Sequence, residues 1–258
     1  MLRPRIIPCL LVHKKGLVKT VQFSEGKYVG DPLNAVKIFN EKEVDELMVL
    51  DIDATVENRE PDFKLIENLA SECRMPLCYG GGVKTVEQAV RIVNLGAEKV
   101  ALSSSALVNM KLLDQIGSAI GVQSVVLVLD VKKRNKLFGS PVYEVYTHRG
   151  NQKHQQDLKA VLNQLQEHSI GEIVINDISN DGVMRGFDLD LAAFVHERVD
   201  VPFTFLGGAG TYSDLDKLIS KFKIIGAAAG SIFVFKGKYK AVLINYPGKE
   251  EKSRIITD

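Results

Sequence analysis

The feature that most limits the folds open to this chain is a repeat at half its length. Leu50-Asp51-Ile52 is answered by Asn176-Asp177-Ile178, Pro76 by Pro202, Gly81 by Gly207 and Ser105 by Ser231, each pair 126 residues apart. A period above one hundred residues points to a duplicated half-domain rather than to a solenoid of short units. In each half, an apolar run opened by proline ends in glycines: Cys78-Tyr79-Gly80-Gly81-Gly82 and Phe205-Leu206-Gly207-Gly208-Ala209-Gly210. A second apolar run further on ends in small residues, Ser103-Ser104-Ser105 in one half and Ala229-Gly230-Ser231 in the other. A strand ending in glycines leaves backbone N–H groups bare at the start of the next helix, a geometry suited to phosphate. Tight turns alone are the other reading of the same glycines.

Short apolar runs alternate with helical patterns along the whole chain. Strands are expected at residues 5–12, 47–53, 76–80, 99–103, 124–130, 172–177, 202–206 and 223–229, and helices at 62–73, 85–95, 111–120, 154–168, 189–198 and 213–220. Apolar spacing after Asp31, an N-cap with Pro32 at the first helical position, adds a helix behind the first strand. Such alternation implies parallel strands. At 258 residues the chain matches a (β/α)₈ TIM barrel of about 250 residues. An open doubly wound sheet is the rival, and the half-chain repeat favours closure. The reading is one barrel domain over residues 1–258, with half-barrels about 1–121 and 122–236 and a short tail at 237–258. Residues 132–153 form a polar, basic insertion expected to be a hairpin, since Val142-Tyr143-Glu144-Val145-Tyr146 alternates. After Pro247-Gly248 the charged end, Lys249 to Asp258, is expected to be mobile.

Composition narrows the function classes. A net charge of +1 argues against nucleic-acid binding, which calls for a basic stripe. Cys9, Cys73 and Cys78 make an odd count without metal spacing and read as reduced thiols in a cytosol. The five histidines, His13, His148, His154, His168 and His196, lack ligand spacing, so no metal site is expected, and no motif asks for a cofactor. No apolar stretch is long enough for a membrane span, and the first residues lack the apolar core of a signal peptide, so a cytoplasmic protein is expected.

In a barrel of this kind the active site lies at the carboxyl ends of the strands. Those ends carry Leu11, Asp51, Gly80 to Gly82, Ser103 to Ser105, Asp130, Asp177, Gly207-Gly208 and Gly230-Ser231, with Lys19 in the first loop. A strand-end aspartate facing the interior is costly unless paired; a structural role in holding loop N–H groups and a functional one are both open for Asp51 and Asp130.

Together, Arg5-Ile6-Ile7-Pro8-Cys9-Leu10, Leu17-Val18-Lys19, Gly30-Asp31-Pro32, Asp45-Glu46-Leu47, Gly80-Gly81-Gly82, Asp181-Gly182 and Gly207-Gly208-Ala209-Gly210 resemble the cyclase subunit of imidazole glycerol phosphate synthase, over about residues 3 to 235. The resemblance implies a barrel that takes ammonia from a separate glutaminase and uses it to split a bis-phosphorylated ribulosyl-formimino nucleotide and close an imidazole ring. It makes Asp130 one of two acid–base aspartates and Lys19 a ligand-side lysine. It places one phosphate seat at Gly81, Gly82, Ser103 and Ser104, and the other at Gly207, Gly208, Gly230 and Ser231. It further implies a ring of Arg5, Glu46, Lys99 and Glu172 at the amino ends of the strands, gating an ammonia path and facing the glutaminase. A stabilising salt-bridge ring is the plainer reading of those four.

One departure weighs against ring closure by this chain. Where the family has its other acid–base aspartate, Cys9-Leu10 is followed by Leu11. A positioned acid or base is worth about 10²–10⁴-fold in rate, roughly 3–5 kcal/mol of barrier, and leucine has no proton to move. Near the end of the sixth strand, Asn176-Asp177 replaces the small hydroxyls common in the family, Val183 stands in place of threonine after Asp181-Gly182, and the added carboxylate is expected to repel phosphate. A complete charge ring with a depleted mouth resembles a divergent branch that passes ammonia to an ATP-dependent amidotransferase making acetamidino sugars for bacterial surface polysaccharides. Three readings stand: a barrel subunit of such a sugar-amidation system, an active cyclase of histidine biosynthesis, and a phosphosugar isomerase. The third also needs the missing aspartate and has no use for the ring.

Overall fold

The computed structural model describes residues 3–24, 26–136 and 139–257; Met1, Leu2, Glu25, Leu137, Phe138 and Asp258 lie outside the described residues, and with them two residues of the expected insertion and the last of the expected tail. Eight strands run parallel: β1 (Arg5–His13), β2 (Leu47–Asp51), β3 (Leu77–Gly80), β4 (Lys99–Leu102), β5 (Val125–Arg134), β6 (Glu172–Asp177), β7 (Phe203–Leu206) and β8 (Gly226–Ala229). Neighbours pair in chain order, and β8 returns to β1 with Arg5 opposite Gly226 and Ile7 opposite Ala228. The sheet is therefore a closed (β/α)₈ barrel, not an open doubly wound one.

Each strand is covered on both faces, so the runs are almost continuously apolar. The two-residue alternation of side chains then sorts them into two cores. Ile7, Cys9, Met48, Cys78, Val126, Val128 and Val174 point inward and fill the barrel. Ile6, Leu10, Leu47, Val49, Leu127 and Ile173 point outward and pack under the helices. Cys9 belongs to the inner set, where burial pushes its thiol up to about 12.

The duplication is visible in the backbone. Leu47 N–H donates to Pro76 C=O and Ile173 N–H to Pro202 C=O, both at 2.9 Å; proline, which has no N–H to donate, sits just ahead of each strand. Helices Val86–Asn94 and Tyr212–Phe222 open with matching capping boxes, Thr85 with Gln88 and Thr211 with Asp214. Gly81 and Gly207 hold φ of +124° and +105°. A Cβ at Gly81 would lie 2.5 Å from the Asp51 carbonyl oxygen, and one at Gly207 2.7 Å from that of Asp177. Close backbone approach at two equivalent places thus requires glycine, whatever binds above them.

Three segments differ from expectation. The first loop, the expected place of Lys19, holds a strand, Gly16–Lys19, that pairs back on β1 and is joined by a further strand, Lys27–Gly30, before Asp31 caps the helix Pro32–Glu41 through Asn34 N–H at 2.9 Å. The insertion is a hairpin as expected, but it begins as a continuation of β5 to Arg134 and adds Gln152–Asp157 as a third strand beside Val142–Thr147. The helix expected from His154 consequently starts only at Leu158, capped by Asp157, because the four residues before it are committed to the ladder. The end expected to be mobile is a helix, Lys249–Thr257. Tyr246 is buried ahead of it and donates its hydroxyl to Ile6 C=O at 2.9 Å, while Lys252 Nζ lies 2.6 Å from Asp45 Oδ1. An apolar anchor and an ion pair supply what the charged composition of residues 249–257 hides. No helix among the described residues is long and apolar enough to cross a membrane.

Gly81→Ala and Gly207→Ala each meet a left-handed backbone and a carbonyl oxygen closer than van der Waals contact allows. Each is expected to lose more than about 1 kcal/mol in urea denaturation, and the two losses should be similar because the sites are equivalent.

Candidate functional site

The two ends of the barrel are built differently. At the amino ends of the strands, Arg5, Glu46, Lys99 and Glu172 come together in one closed ring of alternating charge. Arg5 Nη2 lies 2.8 Å from Glu172 Oε1, and Arg5 Nη1 donates to Glu46. Lys99 Nζ lies 2.8 Å from Glu46 Oε2 and 2.7 Å from Glu172 Oε2. Thr204 donates a further hydrogen bond to Glu172 from β7. Glu46 and Glu172 are 2% and 3% exposed, so both acids are removed from water. Burial opposes the charges of Arg5, Lys99 and Glu172, yet the facing partners outweigh it. Arg5 and Lys99 are held more basic than usual by Glu172 and Glu46, and Glu172 is held below its ordinary 4.5 by Arg5 and Lys99. Above the ring the interior is apolar up to Val128, Val174 and Leu206.

At the carboxyl ends the barrel opens into a cavity of about 740 Å³ bordered by Leu11, Lys19, Leu50, Gly81, Gly82, Ser103, Ser104, Asp130, Asn176, Asp181 and Gly230. Leu11 and Leu50 are cross-strand partners on β1 and β2, so the position where the resemblance expects a carboxylate presents hydrocarbon to the cavity. Asp130 and Asn176 are likewise partners on β5 and β6, and Asn176 Nδ2 donates to Asp130 Oδ1 at 2.9 Å. Burial pushes the Asp130 carboxyl up to about 7, against the Asn176 hydrogen bond, and the nearby Asp181 charge adds to the rise. Lys19 Nζ sits 2.6 Å from Asp181 Oδ1, and Thr20 Oγ1 donates to Asp181 Oδ2 at 2.8 Å. Asp181 therefore belongs to the site through an ion pair. Its Asp-Gly dipeptide marked it in the sequence, but nothing local showed that it would meet Lys19 from 162 positions away.

The two glycine-and-small-residue groups are placed differently. Gly81, Gly82, Ser103 and Ser104 all border the cavity; of Gly207, Gly208, Gly230 and Ser231 only Gly230 does. The short helical turns Ser104–Val108 and Ser231–Val234 begin at Ser103 and Gly230 without a side-chain cap. Asp177 corrects an expectation. Its carboxylate is turned away from the mouth and bound by its own loop, accepting from Ser179 N–H at 3.0 Å and Asn180 Nδ2 at 2.6 Å. Strand alternation sends Asn176 inward and Asp177 outward. Asp51, its equivalent in the first half, borders the cavity and holds Asp53 and Ala54 N–H at 3.0 and 3.1 Å. Burial pushes both carboxyls up. Among the described residues no group of three or more His, Cys, Asp or Glu could hold a metal ion.

Two outcomes test these electrostatics. Asp130 binds a proton up to about pH 7 in the fold but only to its ordinary 3.8 when unfolded, so its contribution falls as pH rises between those values. Asp130→Asn should then be about 1–3 kcal/mol more stable than the parent at pH 8 and no more stable at pH 3.5, read from urea midpoints. Lys99→Met leaves two buried carboxylates sharing Arg5 alone, one negative charge in excess, and should cost about 3–5 kcal/mol at pH 7. That penalty should shrink as pH falls through the lowered Glu172 value, where the acid is neutralised by protonation.

Comparison with known proteins agrees with this architecture. A family model described as histidine biosynthesis protein matches residues 5–240. A provisionally named imidazole glycerol phosphate synthase subunit hisF3 of Vibrio vulnificus (strain YJ016) is 59% identical over 256 residues, 99% of this chain and 97% of the relative. A provisionally named HisF subunit of Leptospira interrogans is 51% identical over 256 residues, 99% and 100% of the two chains. The imidazole glycerol phosphate synthase subunit HisF of Streptococcus sanguinis (strain SK36) is 38% identical over 233 residues, 90% and 91% of the two chains. With its barrel complete and the match spanning it, the chain belongs to the histidine biosynthesis protein family and is HisF-like.

Proposed function

We propose that this chain is a HisF-type barrel subunit that receives ammonia from a partner glutaminase at the amino end of its strands and passes it to a separate ATP-dependent sugar amidotransferase. The observation that carries the reading is the contrast between a complete Arg5–Glu46–Lys99–Glu172 ring and a mouth in which Leu11 replaces a proton carrier. Ammonia is small and neutral and suits the apolar interior above the ring, whereas cleaving a nucleotide and closing a ring call for two positioned acid–base groups. The names of the relatives are in keeping with divergence: the 59% and 51% identical ones carry provisional names, and a relative named without qualification is 38% identical. Phosphate binding at Gly81, Gly82, Ser103 and Ser104 is part of the same proposal, as an inherited seat on the cavity rim.

An active cyclase is the second reading. It is favoured by the retention of Asp130, with a carboxyl held near neutrality, and of Lys19 in the same cavity. The test is to combine the chain with its glutaminase and supply the ribulosyl-formimino nucleotide with glutamine, then with an ammonium salt. We expect intact binding to the glutaminase and no ring closure from either nitrogen source. Turnover at ordinary enzyme rates, about 1 s⁻¹ or more, would defeat the relay reading in favour of the cyclase. Leu11→Asp should restore part of a deficit of about 10²–10⁴-fold with ammonium salt, if the missing proton carrier is what silences the mouth.

A further inference from the structure

Along β6 the inward side chains are Glu172, Val174 and Asn176; along β5 they are Val126, Val128 and Asp130. Each strand leads through valine to one polar group bordering the cavity, and those two groups are hydrogen-bonded to each other. Asn176 is 6% exposed, and its amide has one unmet need. Nδ2 is committed to Asp130, while Oδ1 is buried and has no partner. A buried acceptor left empty costs about 1–3 kcal/mol, so its persistence at this point asks for a donor.

The charges around it say what kind of donor. Lys19 and Asp181 neutralise each other at 2.6 Å, and Thr20 completes that pair. Cys9 lies below with its thiol held protonated by burial, and His148 and Arg149 stand on the cavity wall. Arg149 Nη1 is taken by Asp53 at 3.3 Å, as is His13 Nδ1 at 2.7 Å. The ionised Asp130 carboxylate is left without a cationic partner among these contacts. The missing component is thus a small group with N–H bonds and at most one positive charge.

We propose that Asn176 Oδ1 and the Asp130 carboxylate form a resting site for ammonia where the apolar interior meets the mouth cavity. The inference rests on the ammonia-relay reading and names the chain's own ligand site on that route. Ammonia arriving neutral takes the proton of the Asp130 carboxyl, giving ammonium beside carboxylate. It donates one N–H to Asn176 Oδ1 and another to Asp130, and it returns the proton to Asp130 on leaving. A carboxyl held near pH 7 is suited to both directions of that transfer.

The test uses the full chain alone, so its result does not depend on any glutaminase. The Asp130 carboxyl is followed by ¹³C NMR against pH, its signal assigned by loss in Asp130→Asn, in sodium, potassium or ammonium chloride at equal ionic strength. Ammonium at tenfold its dissociation constant should lower the apparent pKa by about one unit relative to sodium, because it binds only the carboxylate form. Potassium, similar in size but without N–H bonds, should leave it near the sodium value. Asn176→Leu and Asn176→Ala should each abolish the ammonium shift while retaining a cooperative melt. Equal shifts with potassium and ammonium, no shift up to 0.5 M ammonium, or an undiminished shift in a folded Asn176 variant would each overturn the site. If the shift is found but the glutaminase does not bind the chain, the site stands and the relay reading falls.

Discussion

The barrel closes over two buried acids and two half-buried bases, and the rest of the structure depends on their being satisfied together. Taking a carboxylate or an ammonium group out of water costs several kcal/mol even after relaxation. Arg5, Glu46, Lys99 and Glu172 meet that cost by alternation: each acid lies between two bases and each base between two acids. The members come from β1, the residue before β2, β4 and β6, so the ring satisfies itself only when those strands stand at one height. Glu46 and Glu172 are 126 residues apart, as are the other equivalent positions, so the duplication supplied the acids as a pair. The bases do not share that relation and complete the ring from unrelated places.

The carboxyl end shows what that symmetry leaves free to vary. Asp51 and Asp177 do the same work in the two halves, each holding the turn that follows its strand, and Gly81 and Gly207 lie against their carbonyls. These are scaffold duties, and they stay paired. The inward positions beside them do not: Leu50 faces the cavity in one half and Asn176 in the other, while Leu11 and Asp130 differ as hydrocarbon differs from acid. Chemistry at the mouth therefore rests on a few single inward side chains, and exchanging one of them alters reactivity without touching the frame.

Much of this was legible in the amino-acid order. Alternating runs and the half-length repeat implied a closed barrel, and helix starts such as Asp31-Pro32 were marked by residues whose local chemistry is unambiguous. Which of two neighbouring residues faces inward was not legible at the end of β6, because Asn176 and Asp177 are both polar and both buried, and only the barrel's register separates them. The pairing of Lys19 with Asp181 joins the end of the return strand after β1 to the loop after β6, 162 positions on, and leaves no local mark. The segment Gln152–Asp157 is polar throughout and its part from His154 read as the start of a helix, yet backbone pairing with the insertion hairpin overrode that tendency. The charged residues after Lys249 looked like an untethered end because the tether, Tyr246 into Ile6 C=O with Lys252 on Asp45, is a long-range contact.

That tether also sets an order of assembly. Chains are synthesised from the amino end, and Tyr246 and Lys252 leave the ribosome after all eight strands of the barrel. Until they do, Asp45 and the Ile6 carbonyl, beside the floor of the barrel, lack partners they hold in the finished molecule. The floor beside the first strand is fastened only after the eighth strand has emerged, so a nascent barrel with all its strands can still be an unlatched one.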